Sequence, residues 1–375
     1  MRNMRNPFEY GGVVDRGAFC NREREKADLR RAIENREKLF VFAERRLGKT
    51  SLVQQVLGEL PSKGYVCAYV DLWPTDSEAT FVTALAKAIT TAMSHSVANL
   101  LETAKKFFGT LAPSVTINQE GRPELSFGVS RQARPGPALD EVLATPAEVA
   151  RDGRRRVVVV FDEFQQILDY ESDQVERKLR SAVQTQRDVA CLFLGSRKHL
   201  IQKMFMDRSR PLYRAGGHYP LGPIAEDHWV PFIGKRFAAA DKAIRPEAIH
   251  SIWTLTHGHP FYTQHLCHAL WELCEPKKEV TEELIRAAVR VLLLCLHRAL
   301  GFSGREPEEI PEGPRRRAAR RPGLRRRICP AVWAGVRLQR TARGRRAGPK
   351  GRDWPRKWLL RHHGPIPQIV DSIHP

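Results

Sequence analysis

The sequence predicts an α/β protein with three layers, α/β/α, around a mostly parallel five-stranded sheet. A small helical lid domain follows, then a disordered basic tail. Three observations carry this. Residues 38–54, KLFVFAERRLGKTSLVQ, read as a short apolar strand, a polar turn and the periodic start of a helix. Residues 156–170, RVVVVFDEFQQILDY, open with a strand buried on both faces, the pattern of a parallel sheet. Residues 225–296 carry helical spacing throughout.

The first stretch has the layout of a phosphate-binding loop. In a strand–tight loop–helix unit, backbone N–H groups at the loop and helix start face an anion, and the helix dipole favours it. The candidate nucleotide-binding residues are Ala43, Glu44, Arg45, Arg46, Leu47, Gly48, Lys49, Thr50 and Ser51. Lys49 would reach the β- and γ-phosphates, and the Thr50 hydroxyl would hold Mg²⁺. The strict motif has glycine at the first position, where this chain has Ala43.

The second stretch ends in Asp162-Glu163. Carboxylates at the carboxyl end of a buried strand sit where ligands bind in open α/β sheets. Asp162 is expected as the second Mg²⁺ ligand and Glu163 as the residue that polarises the attacking water.

The other elements follow in order. The run Phe19-Cys20-Asn21-Arg22-Glu23-Arg24-Glu25 opens an amphipathic helix with Asn21 as its N-cap and Leu29 and Ile33 inward. Tyr65–Leu72 reads as a strand ending in Asp71, and Ser77–Ala92 as a helix, with a further one toward Phe108. Residues 113–137 read as an inserted surface hairpin, Ser114–Ile117 and Leu125–Val129, before a helix over Leu139–Ala150. Gln174–Thr185 reads as a helix and Val189–Gly195 as a buried strand ending in Ser196. Ser196 is placed to contact a γ-phosphate or to cap the next helix. Arg210 and Arg214 precede a short strand, His218–Leu221, and either could act as an arginine finger. Helices are expected at Trp229–Ala240, Pro246–Thr256, His259–Cys274 and Thr281–Leu296. Gly258-His259-Pro260 joins two of them, as ordinary capping or as a lid contact to the nucleotide. The domains so defined are a lead-in over 1–18, the core over 19–224, the lid over 225–296 and the tail over 297–375.

Composition narrows the class. Of the residues, 42% are hydrophobic and 28% charged, ordinary for a soluble chain. No apolar run approaches the ~18 residues of a membrane span. The seven cysteines are scattered without a CxxC pair, so a reduced, cytoplasmic protein without membrane contact is expected. The histidines of residues 257–268 lack the carboxylate or thiolate partners of a metal centre. The net charge of +20 is uneven: residues 297–375 hold 20 of the 62 basic residues and only 6 of the 42 acidic ones.

With these stretches in hand, the chain resembles the P-loop ATPase family predominant in archaea, which is related to the AAA+-type origin-recognition ATPases and the signal-transducing ATPases with numerous domains. The resemblance rests on NPFEYGGVV, FCNRERE, AERRLGKTSLV, VVVVFDEFQ, FLGSRKHLI, RPLYRAGGHYPLGPI and LTHGHPFYTQHLCHALWE, covering about residues 6–296. It implies ATP with Mg²⁺, an adenine near Phe19, Arg22 and Glu23, and a lid bearing His259 and Pro260. It also implies continuation into a winged-helix domain, through which DNA or a protein partner would bind. A homo-oligomer is a further expectation.

The tail shows no such continuation. Joining the last two bases of each codon to the first of the next allows His363–Asp371 to spell MDPFLKLW. The same shift from Leu296 allows YTALWDSLGENQRKFLRG, an amphipathic helix. A slip of reading frame near residues 292–296 is therefore expected, and out-of-frame GC-rich codons account for a tail of Arg, Pro and Gly. The alternative is a genuine disordered arm that binds nucleic-acid phosphates. Resequencing codons 285–305 from genomic DNA separates the two. An extra or missing base is the expected result, and an unchanged sequence overturns it.

The function expected from the chain is Mg²⁺-dependent ATP hydrolysis used as a conformational switch, with Glu163, Ser196 and Arg214 as the catalytic set. Two alternatives stand beside it: a nucleic-acid-binding protein regulated by nucleotide, and an ATP-binding remnant without turnover.

Overall fold

The computed structural model describes residues 5–14, 16–94, 97–117, 123–129, 135–153 and 155–299. The expectations for the tail and for the tip of the hairpin lie outside them. The described chain forms two compact units, residues 22–222 and residues 5–21 with 223–299.

The first unit opens with α1 (Glu23–Glu34), which buries Leu29 and Ile33 as its spacing predicts. Asn21 does not cap it. Asn21 and Arg22 both take the left-handed conformation, at φ 48° and 70°, and Arg22 occupies the cap position without a side-chain cap bond. A capping side chain needs an extended backbone, which this turn does not supply. Glu23 and Glu25 in the first turn favour the helix dipole instead.

The chain then runs through β1 (Lys38–Phe42), α2 (Lys49–Leu57), β2 (Tyr65–Asp71), α3 (Glu78–Met93) and α4 (Val97–Phe107). The hairpin β3 (Leu111–Ile117) and β4 (Pro123–Val129) and the helix α5 (Pro135–Asp152) follow. The unit is completed by β5 (Arg156–Asp162), α6 (Gln174–Thr185), β6 (Val189–Gly195), α7 (Lys198–Met206) and β7 (Gly217–Pro220). Ser77 starts α3 with a capping box shared with Thr80.

Five strands form one sheet in the order β2-β5-β6-β1-β7, with every ladder parallel. The register runs from Tyr65 opposite Arg156 to Asp71 opposite Asp162, and from Lys38 opposite Cys191 to Phe42 opposite Gly195. Parallel register therefore gathers Asp71, Asp162, Gly195 and Phe42 at one end of the sheet. Every residue of β6, and β5 from Val157 onward, is buried, because helices cover both faces. Phe161 stacks on Phe193 at 5.4 Å, and Phe164 packs on Phe193 at 4.7 Å directly after the Asp162-Glu163 pair.

The β3–β4 hairpin is antiparallel and is more than a surface insertion. Leu111, Leu125 and Phe127 are buried in the core, and Phe127 meets Phe108 edge to face at 5.6 Å. The period-two alternation of β4 turns Leu125 and Phe127 inward on one face.

The second unit is built from α8 (Glu226–Ala238), α9 (Pro246–Thr256), α10 (Pro260–Leu273) and α11 (Glu282–Ala299). Trp229, Phe237, Ile252, Leu266 and Ile285 are central to its core. The N-terminal stretch is part of this core: Phe8 is 1% exposed and packs on Phe237 at 5.6 Å, and Cys20 is buried beside it. His268 is used here, its Nδ1 2.9 Å from the Phe8 carbonyl. Gly258 is required at the turn before α10. Its φ is +67°, and a Cβ there would meet the Ile224 carbonyl oxygen at 2.2 Å.

Candidate functional site

Residues 43–48 link β1 to α2, which opens with Lys49, Thr50 and Ser51. Gly48 sits at the N-cap of α2 with φ 84°, a conformation that favours glycine, and no side chain caps the helix. The first amides of α2 are therefore not taken by a side-chain cap at Gly48, the arrangement that receives an anion. Ala43 is not among the described residues with positive φ, so its backbone does not need glycine. The departure from the strict motif is a matter of a methyl group, and that methyl is buried. Arg46 takes the left-handed conformation at φ 65° and is exposed, as is Glu44. Leu47 and Ser51 are buried, and the Arg45 guanidinium lies over the Trp73 ring at 5.7 Å.

Lys49 is 6% exposed. Burial pushes its ammonium below the ordinary lysine range, and the Glu163 and Asp162 carboxylates pull it back up. The Thr50 hydroxyl donates to Asp162 Oδ2 at 2.7 Å, and the Tyr69 hydroxyl donates to the same oxygen. The Glu163 amide donates to the other oxygen, Oδ1, at 2.8 Å. Lys49, Thr50 and Asp162 thus meet as their motifs require. A hydroxyl beside a carboxylate is an oxygen-only donor set, the kind that suits Mg²⁺ together with phosphate oxygens.

Glu163 follows in the left-handed conformation, at φ 51°. Ser196 donates to its Oε2 at 2.7 Å, and the Gln165 amide donates to the same oxygen. Ser196 does not cap α7; Arg197 holds that position. The residue at the end of β6 is instead joined to the carboxylate at the end of β5. Asp71 ends β2, with its carboxyl pushed above the usual range, chiefly by burial. It accepts the Trp73 amide at 3.0 Å, as a turn residue does.

Five residues lie in other settings. Arg22, expected near an adenine, is 3% exposed and its guanidinium is engaged by protein groups. It donates to the Leu47 carbonyl at 3.1 Å, the Gly222 carbonyl at 2.8 Å and the Glu25 carboxylate at 2.7 Å. It therefore ties the loop at Leu47 to Gly222 and to α1. Arg210 is not an available finger: it pairs with the buried carboxylate of Glu176 on α6. Arg214 is exposed, with its guanidinium over the Tyr213 ring at 5.2 Å. His259 and Pro260 lie in the helical unit, where the His259 carbonyl accepts from Thr263 and the ring packs on Tyr262 at 4.6 Å.

Two members of the cluster are absent from the expectations above, Tyr69 and Gln165. Gln165 stands in the DEFQ run, two residues beyond Glu163. Its signal is a polar residue, 3% exposed, in an otherwise apolar turn. Tyr69 carried no such signal, since tyrosine is ordinary in a strand.

The sequence pattern of the ATPase domain predominantly from Archaea matches residues 19–266, about two thirds of the chain. The chain belongs to that family. Among solved structures, this ATPase is similar to a Walker-type ATPase of Pyrococcus abyssi, at 17% identity and a TM-score of 0.53, covering 92% of this chain and 90% of that one. It is also similar to the Aeropyrum pernix ORC2 protein in its ADPNP–ADP complexes, at 15% identity and a TM-score of 0.47, covering 94% and 90%. The Aeropyrum pernix ORC1 protein in complex with DNA follows at 12% identity and 0.48, covering 78% and 69%. No curated protein matches the chain. The ATPase domain therefore has the P-loop α/β fold. No helix among the described residues is long and apolar enough to cross a membrane.

Proposed function

We propose that this ATPase binds ATP with Mg²⁺, hydrolyses it, and uses the cycle as a conformational switch. The observation that supports this most is the convergence of Lys49, Thr50, Asp162, Glu163 and Ser196 at the carboxyl end of one parallel sheet. Loop amides and Lys49 hold the β- and γ-phosphates. Thr50 and Asp162 hold the metal, which, when bound, neutralises phosphate charge.

Glu163 orients the attacking water and takes its proton. Its carboxylate is anchored through Oε2 by Ser196 and Gln165, which leaves Oε1 for the water. Ser196 is also close enough to the carboxylate to exchange it for a γ-phosphate oxygen, and that exchange would couple nucleotide state to the β6–α7 junction. Arg214, the exposed arginine, is the one proposed to meet the γ-phosphate. Catalysis of this kind is positioning and charge stabilisation, not covalent chemistry.

The test is phosphate release from ATP by the purified chain, with Mg²⁺ and with the metal chelated. Release that requires Mg²⁺ is expected. A protein that binds ATP but releases no phosphate under either condition would be a nucleotide-binding remnant, and the hydrolysis reading would fall.

A further inference from the structure

We propose that Tyr69 is a positioning residue that sets the metal affinity of the Asp162 carboxylate. The inference rests on the ATP–Mg²⁺ reading and extends it to a residue outside the nucleotide motifs. Tyr69 lies on β2, and the β2–β5 register places it opposite Val160, two residues before the Asp71–Asp162 pair. Side chains of adjacent parallel strands at matching register share a face, so the phenol reaches along the sheet toward Asp162.

The bonding is specific. Asp162 Oδ2 accepts from both Tyr69 and Thr50, while Oδ1 accepts the Glu163 amide. Three donors from three elements fix the rotation of one carboxylate. Thr50 is itself a proposed metal ligand, and the Glu163 amide constrains only Oδ1. Tyr69 is thus the donor to Oδ2 that a bound metal would leave in place. A tyrosine suits the task, because a rigid ring carries its donor at a fixed distance from the strand. Outer groups that hydrogen-bond a ligating carboxylate orient it for the metal, and their loss costs about 10–100-fold in affinity.

The test compares the parent with Tyr69→Phe, which removes one oxygen and keeps the ring. Mn²⁺, an oxygen-preferring stand-in for Mg²⁺, is titrated by electron paramagnetic resonance in the presence of a non-hydrolysable ATP analogue. Binding of the analogue with the metal chelated is measured separately, and thermal melting checks the fold. The expected result is an Mn²⁺ affinity about 10-fold weaker in Tyr69→Phe, with metal-free analogue binding unchanged.

Equal Mn²⁺ affinities would overturn the role of Tyr69 and leave the ATP reading standing. A matching loss of metal-free analogue binding would mean that Tyr69 supports the loop, which also overturns it. A parent that binds no metal–nucleotide complex would overturn the ATP reading itself. Should the Phe variant melt early, the same Mn²⁺ titration with the analogue is run at a temperature where both proteins are folded: the proposal requires weaker Mn²⁺ binding in Tyr69→Phe there, and an unchanged affinity rejects it.

Discussion

Lys49→Ala is expected to raise the dissociation constant for ATP about 100-fold or more, since truncating one partner of a buried charged contact costs about 2–5 kcal/mol. The lysine is buried at the start of α2, and its ammonium stands near the Asp162 and Glu163 carboxylates. Removing it takes away a buried cation at the start of α2 and leaves two carboxylates facing an incoming polyanion. Both changes oppose nucleotide binding. Isothermal titration with an ATP analogue reads the effect, and a melting curve shows that the variant is folded. Retention of parental affinity in a folded Lys49→Ala protein would remove residues 43–51 from the nucleotide site.

Glu163→Gln should leave nucleotide affinity within a few-fold of the parent and lower turnover by about 10²–10⁴-fold, the usual contribution of a positioned general base. The substitution is isosteric. The amide oxygen can still accept from Ser196 and Gln165, so the junction between β5 and β6 keeps its contacts. What is lost is the capacity to take a proton. Single-turnover phosphate release separates this from a binding defect. Turnover equal to that of the parent would strike Glu163 from the catalytic set and turn attention to other carboxylates at the same end of the sheet, Asp71 first.

The sheet strands were legible because each is a short apolar run with polar residues at its ends. Val189–Gly195 and Gln174–Thr185 were readable to the residue, since the first is apolar throughout and the second has a helical stripe. The proximity of Lys49, Thr50, Asp162 and Glu163 was expected for a different reason. Phosphate chemistry demands particular residue types at particular places on a strand–loop–helix unit, so the site leaves a local imprint. Where a side chain's task depends on a distant partner, the imprint is missing. Asn21 looked like a cap, but the left-handed turn at Asn21 and Arg22 carries Arg22 to the Leu47 and Gly222 carbonyls. Arg210 looked like a finger, but Glu176 lies across from it on α6.

The sequence by itself determined the elements, the parallel character of the sheet and the residue types gathered at its carboxyl end. These follow from short-range facts: apolar periodicity, the conformational freedom of Gly48, and the charge types that polyphosphates require. Tertiary structure alone decided which groups support those residues. It put the Tyr69 hydroxyl on Asp162, 93 positions away, through the β2–β5 register. It joined Ser196 to Glu163 across 33 positions, and it took Phe8 into the core of the helical unit. Register and packing set these distances, and both depend on how the whole sheet and its covering helices fit together, which no local window of residues encodes.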